Sequence, residues 1–201
     1  KLASFPETNA QTLLSGKFMT DFETYSLDQF PLRDSFRTLK AVTSFYALGK
    51  KDNNGIYLSN GYAAKLEYPL DENSVTSAAK KFAALYDTYI KDNGGKVYLA
   101  VAPDKGYFLA EKNGYPALDY EKMLSLLQEN MPFAEYVDLF SPLSLEDYYK
   151  TDTHWRQERI IDASRVLAAA MGGRGIGDYT IEKANVPFYG VYYGQSALPL
   201  P

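Results

Sequence analysis

The residues best suited to chemistry in this chain are Asp152 and His154, the two ends of an Asp-x-His triplet that Trp155 follows. In such a triplet the carboxylate can accept the Nδ1 proton of the imidazole, which fixes the tautomer and leaves Nε2 free as a base. A serine hydroxyl on the Nε2 side then becomes a usable nucleophile. The residue types therefore fit the histidine and aspartate of an esterase-type triad.

A purely structural interpretation of the same residues stays open. Asp152 or Thr153 can cap the N-terminus of the helix that follows them. His154 is then a partly buried histidine whose hydrogen bonds are satisfied beside Trp155. Short motifs also recur by accident, so the spacing alone does not decide between the two interpretations.

Composition excludes several other chemistries. The 201 residues include no cysteine and one histidine, which rules out a disulfide framework, a thiol nucleophile and a zinc site with thiolates or several histidines. A metal at Asp152 and His154 needs carboxylates from elsewhere, and no spacing points to them, so we expect no metal and no cofactor. The formal charge of −4, from 21 basic and 25 acidic residues, lacks the positive footprint of a general nucleic-acid binder.

The ends of the chain and its apolar runs bear on location. No apolar run approaches the roughly 20 residues that span a bilayer, so we expect no membrane span. The chain opens with Lys1 rather than Met, which we interpret as a mature or trimmed product. It ends in Leu-Pro-Leu-Pro without a closing helix or strand, which suits truncation. The oligomeric state is not readable from these features.

The elements that position Asp152 and His154 follow from apolar periodicity. Two helical stripes predict an N-terminal helical segment over residues 1–50 that packs on the main domain, residues 51–201. From about residue 72 the order is α-β-α-β-α. The pattern predicts a short strand within 55–61, helices over 75–89, 118–131 and 160–171, and strands over 97–101 and 136–140.

That alternation favours an α/β layer fold with functional loops at the carboxyl ends of its strands. The run 97–101 is continuously apolar and stops at Pro103, as expected of a strand buried on both faces of a parallel sheet. Two strand-end loops stand out, residues 102–105 and 141–154. Beyond Gly173 the periodicity is lost, which predicts an irregular or hairpin extension rich in aromatic residues.

Residues 148–155, which read YYKTDTHW, resemble the signature of the DHHW family of bacterial surface proteins, related to the alginate O-acetyltransferases of the SGNH-hydrolase-like group. The match departs at Thr153, where the family name implies a second histidine. Further segments are similar in the same order, so that the resemblance spans residues 20–172. They are DQFPLR at 28–33, GIYL at 55–58, VAPDK at 101–105 and VDL at 137–139.

The resemblance implies a three-layer SGNH-hydrolase-like α/β fold with a parallel sheet, permuted and incomplete at the C-terminus, with an N-terminal helical extension. It also implies an extracytoplasmic protein, secreted or at the cell surface, that transfers or hydrolyses an acetyl-type acyl group on a polysaccharide or a small acyl ester. His154 is then the general base and Asp152 its orienting partner. The alternatives are a non-catalytic surface module that binds a glycan or a protein, and a purely structural envelope domain.

In the O-acetyltransferase relatives the nucleophilic serine lies downstream of Asp-x-His on a Gly-Asp-Ser-like turn, and no serine here fits that pattern. Ser164 lies within a predicted helix, and Ser196 has no preceding aspartate. Ser35, in RDSF, mimics the block but falls early in an amphipathic helix with no strand before it. We therefore expect the nucleophile to lie outside this chain or to be missing from it.

Two further features carry weaker predictions. Lys105, at a strand end, can bind an anionic or carbonyl group of the substrate, and a solvated surface lysine is the alternative. Among the 18 tyrosines, four near predicted strand ends can form a surface on which sugars stack, with core packing as the alternative. They are Tyr107, Tyr115, Tyr148 and Tyr149.

Overall fold

The computed structural model describes residues 2–175, 177 and 179–198. This part of the chain forms two compact units, residues 2–53 with 197–198 and residues 54–196. Both members of the Asp-x-His pair lie in the second unit. The expected packing of the N-terminal helical segment on the main domain stays a prediction.

The first unit is helical, as its apolar stripes predict. Its elements are α1 (Ala10–Leu14), α2 (Lys17–Gln29), α3 (Arg33–Val42), a π-helical turn (Thr43–Ala47) and β1 (Asp52–Asn53). Phe5 packs edge-on against Phe18, Phe22 and Tyr25, with ring centroids 5.3 to 6.4 Å apart. The aromatic stripe of α2 therefore gathers around the extended N-terminal segment.

The second unit is a mixed α/β structure. Its strands are β2 (Ile56–Ser59), β3 (Tyr62–Lys65), β4 (Val97–Val101) and β5 (Ala134–Asp138). Its helices are α4 (Glu72–Tyr89), α5 (Lys105–Leu109), α6 (Tyr120–Asn130), α7 (Ile161–Ala170) and α8 (Val191–Ser196). Short 3₁₀ turns lie at Lys91–Asn93, Glu111–Asn113, Leu145–Asp147 and Gln157–Arg159. The predicted α-β-α-β-α order is confirmed, and α5 is an addition that the periodicity did not indicate.

β4 and β5 pair in parallel, from Val97 opposite Ala134 to Val101 opposite Asp138. The loops that follow the two strands therefore leave from the same edge of the sheet. The prediction that β4 is buried on both faces is wrong, because Ala100 is exposed and the other residues are half-buried. In the described residues this sheet has two strands only, so β4 has a paired strand along one edge and none along the other. The helices around the sheet do not bury β4 fully.

α4 and α6 pack against each other, and α7 packs against β5. Asp71 caps α4 and Asp119 caps α6. Each carboxylate accepts the backbone N–H of the residue three positions later at 2.9 Å. The predicted inward stripe of α4 is only partly confirmed, since Ala79 is buried while Phe82 and Tyr89 are exposed. No helix within the described ranges combines the length and the apolar character that crossing a membrane requires.

β2 and β3 form an antiparallel hairpin, of which the sequence analysis identified only the first strand. The turn residues Asn60 and Gly61 have φ values of 50° and 76°. Both residues therefore lie in the left-handed region, as in a type I′ turn, for which Asn-Gly is a preferred sequence. Tyr57 and Ala64 of the hairpin join Leu109 in a buried cluster, which fastens the hairpin to α5.

The chain beyond Gly173 is irregular where it is described, and its last described element is the helix α8 rather than a hairpin. Tyr192 of α8 packs with Ile56 and Ala63, so the helix lies on the β2–β3 hairpin. The end of the Leu-Pro-Leu-Pro sequence beyond Leu198 lies outside the described residues.

Candidate active site at the Asp-x-His turn

The Asp-x-His triplet lies in a tight turn that its own backbone closes. Tyr148 and Trp155 form an antiparallel bridge, and the Tyr149 N–H donates to the His154 carbonyl at 3.2 Å. These contacts fold residues 148–155 into a hairpin-like loop. The side chains of Asp152 and His154 therefore extend from a loop that the Tyr148–Trp155 bridge closes.

Two aromatic side chains anchor this turn in the core. Tyr148 is almost fully buried, and its hydroxyl donates to the carbonyl of Pro103. Burial raises the pKa of the Tyr148 phenol to about 12. Trp155 packs against the buried side chains of Leu139 and Leu143. Both ends of the turn are therefore fixed by packing.

The Asp152 carboxylate binds His154 through one oxygen and a distant backbone group through the other. Oδ1 lies 2.5 Å from Nδ1 of the imidazole and accepts the His154 backbone N–H at 2.9 Å. Oδ2 accepts the N–H of Val191 at 2.7 Å. The aspartate side chain is 6% exposed and the imidazole 76%. A buried carboxylate thus holds an exposed ring by Nδ1, and in the described residues the ring makes no other hydrogen bond.

The hydrogen bonds at Asp152 favour its anionic form. Burial by itself would raise the pKa of this carboxyl, but the N–H groups of His154 and Val191 and the imidazole outweigh burial and lower that pKa below its ordinary value. An anion at Nδ1 favours the tautomer in which Nε2 carries the lone pair. It also stabilises the imidazolium once Nε2 has taken a proton.

These contacts contradict two parts of the structural interpretation of the triplet, the helix cap and the buried histidine. Ile160 occupies the N-cap position of α7 and makes no side-chain capping bond there, so neither Asp152 nor Thr153 has the predicted capping role. The imidazole of His154 is mostly exposed, so the residue is not a buried histidine with satisfied hydrogen bonds. The catalytic roles of the aspartate and the histidine stay predictions.

Lys105 lies beneath the turn and is only 3% exposed, so the expectation of a solvated surface lysine is wrong. Its ammonium donates to the carbonyls of Ala63, Tyr149 and Lys150. Burial lowers the pKa of Lys105 to about 8, although the Asp152 carboxylate opposes that shift. Because its three N–H donors are used on backbone carbonyls, the lysine ties β3 to the turn. Binding of substrate by Lys105 stays a prediction.

The segment 190–192 packs directly on the same turn. The N–H of Gly190 donates to Oγ1 of Thr151 at 3.1 Å, and the N–H of Tyr192 donates to the Thr151 carbonyl at 3.0 Å. The ring of Tyr192 lies 4.9 Å from the Lys105 ammonium. Sequence reasoning missed this segment, because backbone groups that meet a turn 39 residues away leave no local signal.

His154 lines a cleft of about 770 Å³, together with Asp104 and other residues of the loop after β4. A second groove of about 1010 Å³ adjoins this cleft. Tyr149, Gln157 and Phe188 line both depressions. The rings of Tyr149 and Phe188 lie 4.6 Å apart at this junction. The candidate base therefore borders a depression that continues past two aromatic rings.

The four tyrosines proposed as a sugar-stacking surface do not form one surface. Tyr149 lines the cleft, and Tyr148 is buried with only a small exposed part. Tyr115 stacks on Tyr57 in the core at 4.1 Å, and Tyr107 packs edge-on against other rings. Core packing therefore accounts for Tyr115 and for most of Tyr148.

The candidate serines lie outside the cleft that contains His154. Ser164 lies in α7 and donates to the Ile161 carbonyl at 2.7 Å. Ser196 is fully buried at the end of α8, and Ser35 is exposed on α3 of the first unit. The expectation that the nucleophile lies outside this chain stays a prediction. No group of three or more metal-ligating side chains is placed to hold an ion in the part of the chain that the structure describes.

Comparison with known proteins was made for the whole chain. No protein-family model matches it, and no curated protein or solved structure is significantly similar to it. The mixed α/β architecture and the geometry of the Asp-x-His turn therefore rest on the sequence and structure of this chain.

Proposed function

We propose that this chain carries the histidine and aspartate of an SGNH-like acyltransferase or esterase. The enzyme is extracytoplasmic and moves a small acyl group, such as acetyl, on a cell-envelope or extracellular polysaccharide. One observation carries the proposal: a buried Asp152 carboxylate holds Nδ1 of an exposed His154 at the wall of a cleft. This is the arrangement that a general base needs.

In the proposed reaction Nε2 of His154 takes the proton of a serine hydroxyl as that oxygen attacks the acyl carbon. The imidazolium then gives the proton to the departing sugar oxygen. Asp152 keeps the Nδ1 proton in place and stabilises the imidazolium without becoming protonated. Water in hydrolysis, or a second hydroxyl in transfer, then attacks the acyl carbon of the acyl-serine. His154 takes the proton of the attacking O–H and returns it to the departing serine oxygen. The serine is assigned to a residue outside this chain.

The two adjoining depressions support a polymeric substrate over a small ester. A small acyl group fills only part of the 770 Å³ cleft, and a chain that continues past Tyr149 and Phe188 reaches the neighbouring groove of 1010 Å³. Aromatic faces suit stacking on sugar rings. Arg156 in that groove is paired with Glu158 at 2.7 Å, and Glu182 and Lys183 also line it, so the groove presents charges of both signs.

The three-layer SGNH-like fold belongs to the same proposal. Its support is the parallel pairing of β4 with β5 and the position of Asp104 and Asp152 in the loops that follow those strands. In α/β sheets the carboxyl ends of parallel strands carry the functional loops. The proposal requires further strands beside this pair.

The test is release of acetate from an acetylated polysaccharide and from p-nitrophenyl acetate by the natural full-length protein. We expect His154→Ala to lower kcat/KM by roughly 10²- to 10⁴-fold, because the general base is lost. Ser164→Ala is the matched control, since Ser164 bonds only within α7, and it should keep the wild-type rate. The polysaccharide assay is the decisive one, because an exposed imidazole can slowly hydrolyse an activated ester such as p-nitrophenyl acetate without an enzyme site. An inactive wild-type protein, or full activity in His154→Ala, would contradict the proposal.

Exposed aromatic residues favour a second candidate function, a non-catalytic module that binds a glycan or a protein. Phe188 and Tyr189 are exposed, and the rings of Tyr189 and Tyr193 lie 4.9 Å apart. Glycan-array binding that Phe188→Ala abolishes and His154→Ala leaves unchanged would favour this module. Loss of acetate release in His154→Ala would favour the enzyme.

A further inference from the structure

The hydrogen bonds of the Asp152 carboxylate are completed from far along the chain. Oδ1 is used by the backbone and ring of His154, and Oδ2 accepts the Val191 N–H at 2.7 Å. Two further backbone N–H groups of this segment, those of Gly190 and Tyr192, both donate to Thr151. The segment therefore docks on the two residues that precede Thr153 and His154 in the turn.

Gly190 is the residue that permits this docking. A Cβ atom at position 190 would lie 2.2 Å from the carbonyl oxygen of Thr151, 2.4 Å from its carbonyl carbon and 2.5 Å from Cβ of Asp152. Real Cβ atoms do not approach other atoms below 3.0 Å, and two of these three obstacles are backbone atoms. Lys105 holds the neighbouring carbonyls of Tyr149 and Lys150, so the turn is also held from below.

We propose that Gly190 and Val191 are positioning residues for His154. Gly190 lets the backbone reach the turn, and the Val191 N–H fixes the rotation of the Asp152 carboxylate so that Oδ1 stays on Nδ1. A carboxylate without a donor at Oδ2 is free to turn about its Cβ–Cγ bond, and the imidazole then loses its aligned acceptor. The effect on catalysis rests on the proposed function, whereas the effect on the imidazole does not.

The test compares Gly190→Ala with Gly194→Ala, because Gly190 directly precedes α8 and Gly194 lies within it. A Cβ at Gly194 meets nothing within 4 Å, so this variant controls for the added methyl group. The readout is the tautomer of the imidazole, from its ¹⁵N chemical shifts in the natural protein. The chain has one histidine, so within it the signal belongs to His154. Circular dichroism checks that each variant is folded.

We expect Gly194→Ala to keep the Nδ1–H tautomer and Gly190→Ala to shift the neutral ring toward the Nε2–H form that free histidine prefers. We also expect kcat/KM of Gly190→Ala to fall at least 10-fold, mainly through kcat. A folded Gly190→Ala variant with the wild-type tautomer would overturn the inference. If Gly190→Ala shifts the tautomer but the unmodified protein hydrolyses no ester, the positioning inference stands and the proposed function fails.

A measurement on the unmodified protein covers the case in which Gly190→Ala does not fold. The amide proton of Val191 should move as the Asp152 carboxyl is titrated with acid, because that N–H donates to the carboxylate. In Asp152→Asn the same amide proton should not move over that pH range. A Val191 amide that is insensitive to the titration in the unmodified protein would also overturn the inference.

Discussion

Asp104 and Asp152 lie in the loops that follow two neighbouring parallel strands, and both line the same cleft. They differ in what their carboxylates bind. Oδ1 of Asp104 accepts the Gly106 N–H at 2.5 Å and the Tyr120 hydroxyl at 2.8 Å, which makes it the cap of α5. Oδ1 of Asp152 lies 2.5 Å from Nδ1 of His154, and α7 does not begin beside it.

The difference shows which aspartate is available to orient a histidine. The first turn of a helix presents free N–H groups, and a carboxylate beside it is used on those groups. Asp104 is used in this way by α5. Asp152 lies in a turn that closes on itself, so its carboxylate meets the imidazole and a distant backbone N–H instead. Asp104 therefore caps a helix, α5, whereas Asp152 caps none of the described helices.

Of the changes to the two aspartates, Asp152→Asn should have the larger effect. The amide has no negative charge to hold the Nδ1 proton or to stabilise the imidazolium, so ester turnover should fall by roughly 10³ to 10⁴. The measurement is kcat/KM for acetate release by the natural protein. A loss below about 10-fold would contradict the orienting role, given the magnitudes expected for such a partner.

The matched change at the other aspartate is Asp104→Asn. We expect a loss of about 1 kcal/mol in the free energy of unfolding, because the cap of α5 and the bond to Tyr120 are weakened. Denaturant unfolding measures that loss. The His154 tautomer should stay as in the unmodified protein, and a tautomer change as large as that of Asp152→Asn would remove the distinction between the two aspartates.

Lys105 joins the two regions, because it follows Asp104 in the chain and holds the turn that carries Asp152. We expect Lys105→Met to lower the free energy of unfolding by about 2 to 3 kcal/mol, since the buried carbonyls lose their donor. Lys91→Met is the control, because Lys91 is exposed and its ion pair with Asp87 is worth little. Equal unfolding midpoints for the two variants would contradict the role of Lys105.

The smallest expected effect is the dependence of stability on acid. The pKa of Asp152 is lower in the fold than its ordinary value, so its contribution to stability is present above about pH 4 and is lost as the pH falls through the folded value. Asp138 and Glu158 also have lowered pKa values and add to the same trend. The free energy of unfolding, measured with denaturant between neutral and acidic pH, should therefore depend less steeply on pH in Asp152→Asn than in the unmodified protein. An unchanged slope would contradict the shift at Asp152.

Sequence reasoning reached the parts of the fold that depend on local pattern. β4 lies at the predicted residues, and β5 begins two residues before its predicted start. The Asn60-Gly61 turn was also readable, because Asn-Gly is a preferred type I′ turn sequence, although only one strand of its hairpin was predicted. The prediction that β4 is buried on both faces was wrong, because the burial of a strand depends on how many strands and helices surround it.

The site was predictable only in part, for a similar reason. Asp152 and His154 are neighbours in sequence, so their hydrogen bond could be anticipated from spacing. The environment of Lys105 could not, because its acceptor carbonyls lie 42 to 45 residues away. The same holds for Gly190 and Val191, which meet the turn across 39 residues. Local pattern located the pair, and long-range contacts determine how firmly it is held.

The most direct test of the orienting role of Asp152 is the ¹⁵N spectrum of the imidazole, at a pH where the ring is neutral. The chain has one histidine, and the spectrum of His154→Ala identifies the His154 signal in the natural protein. We predict that Nδ1 carries the proton and that Nε2 is unprotonated in the unmodified protein, and that Asp152→Asn removes this preference. An Nε2–H tautomer in the unmodified protein, the same as in Asp152→Asn, would contradict the account.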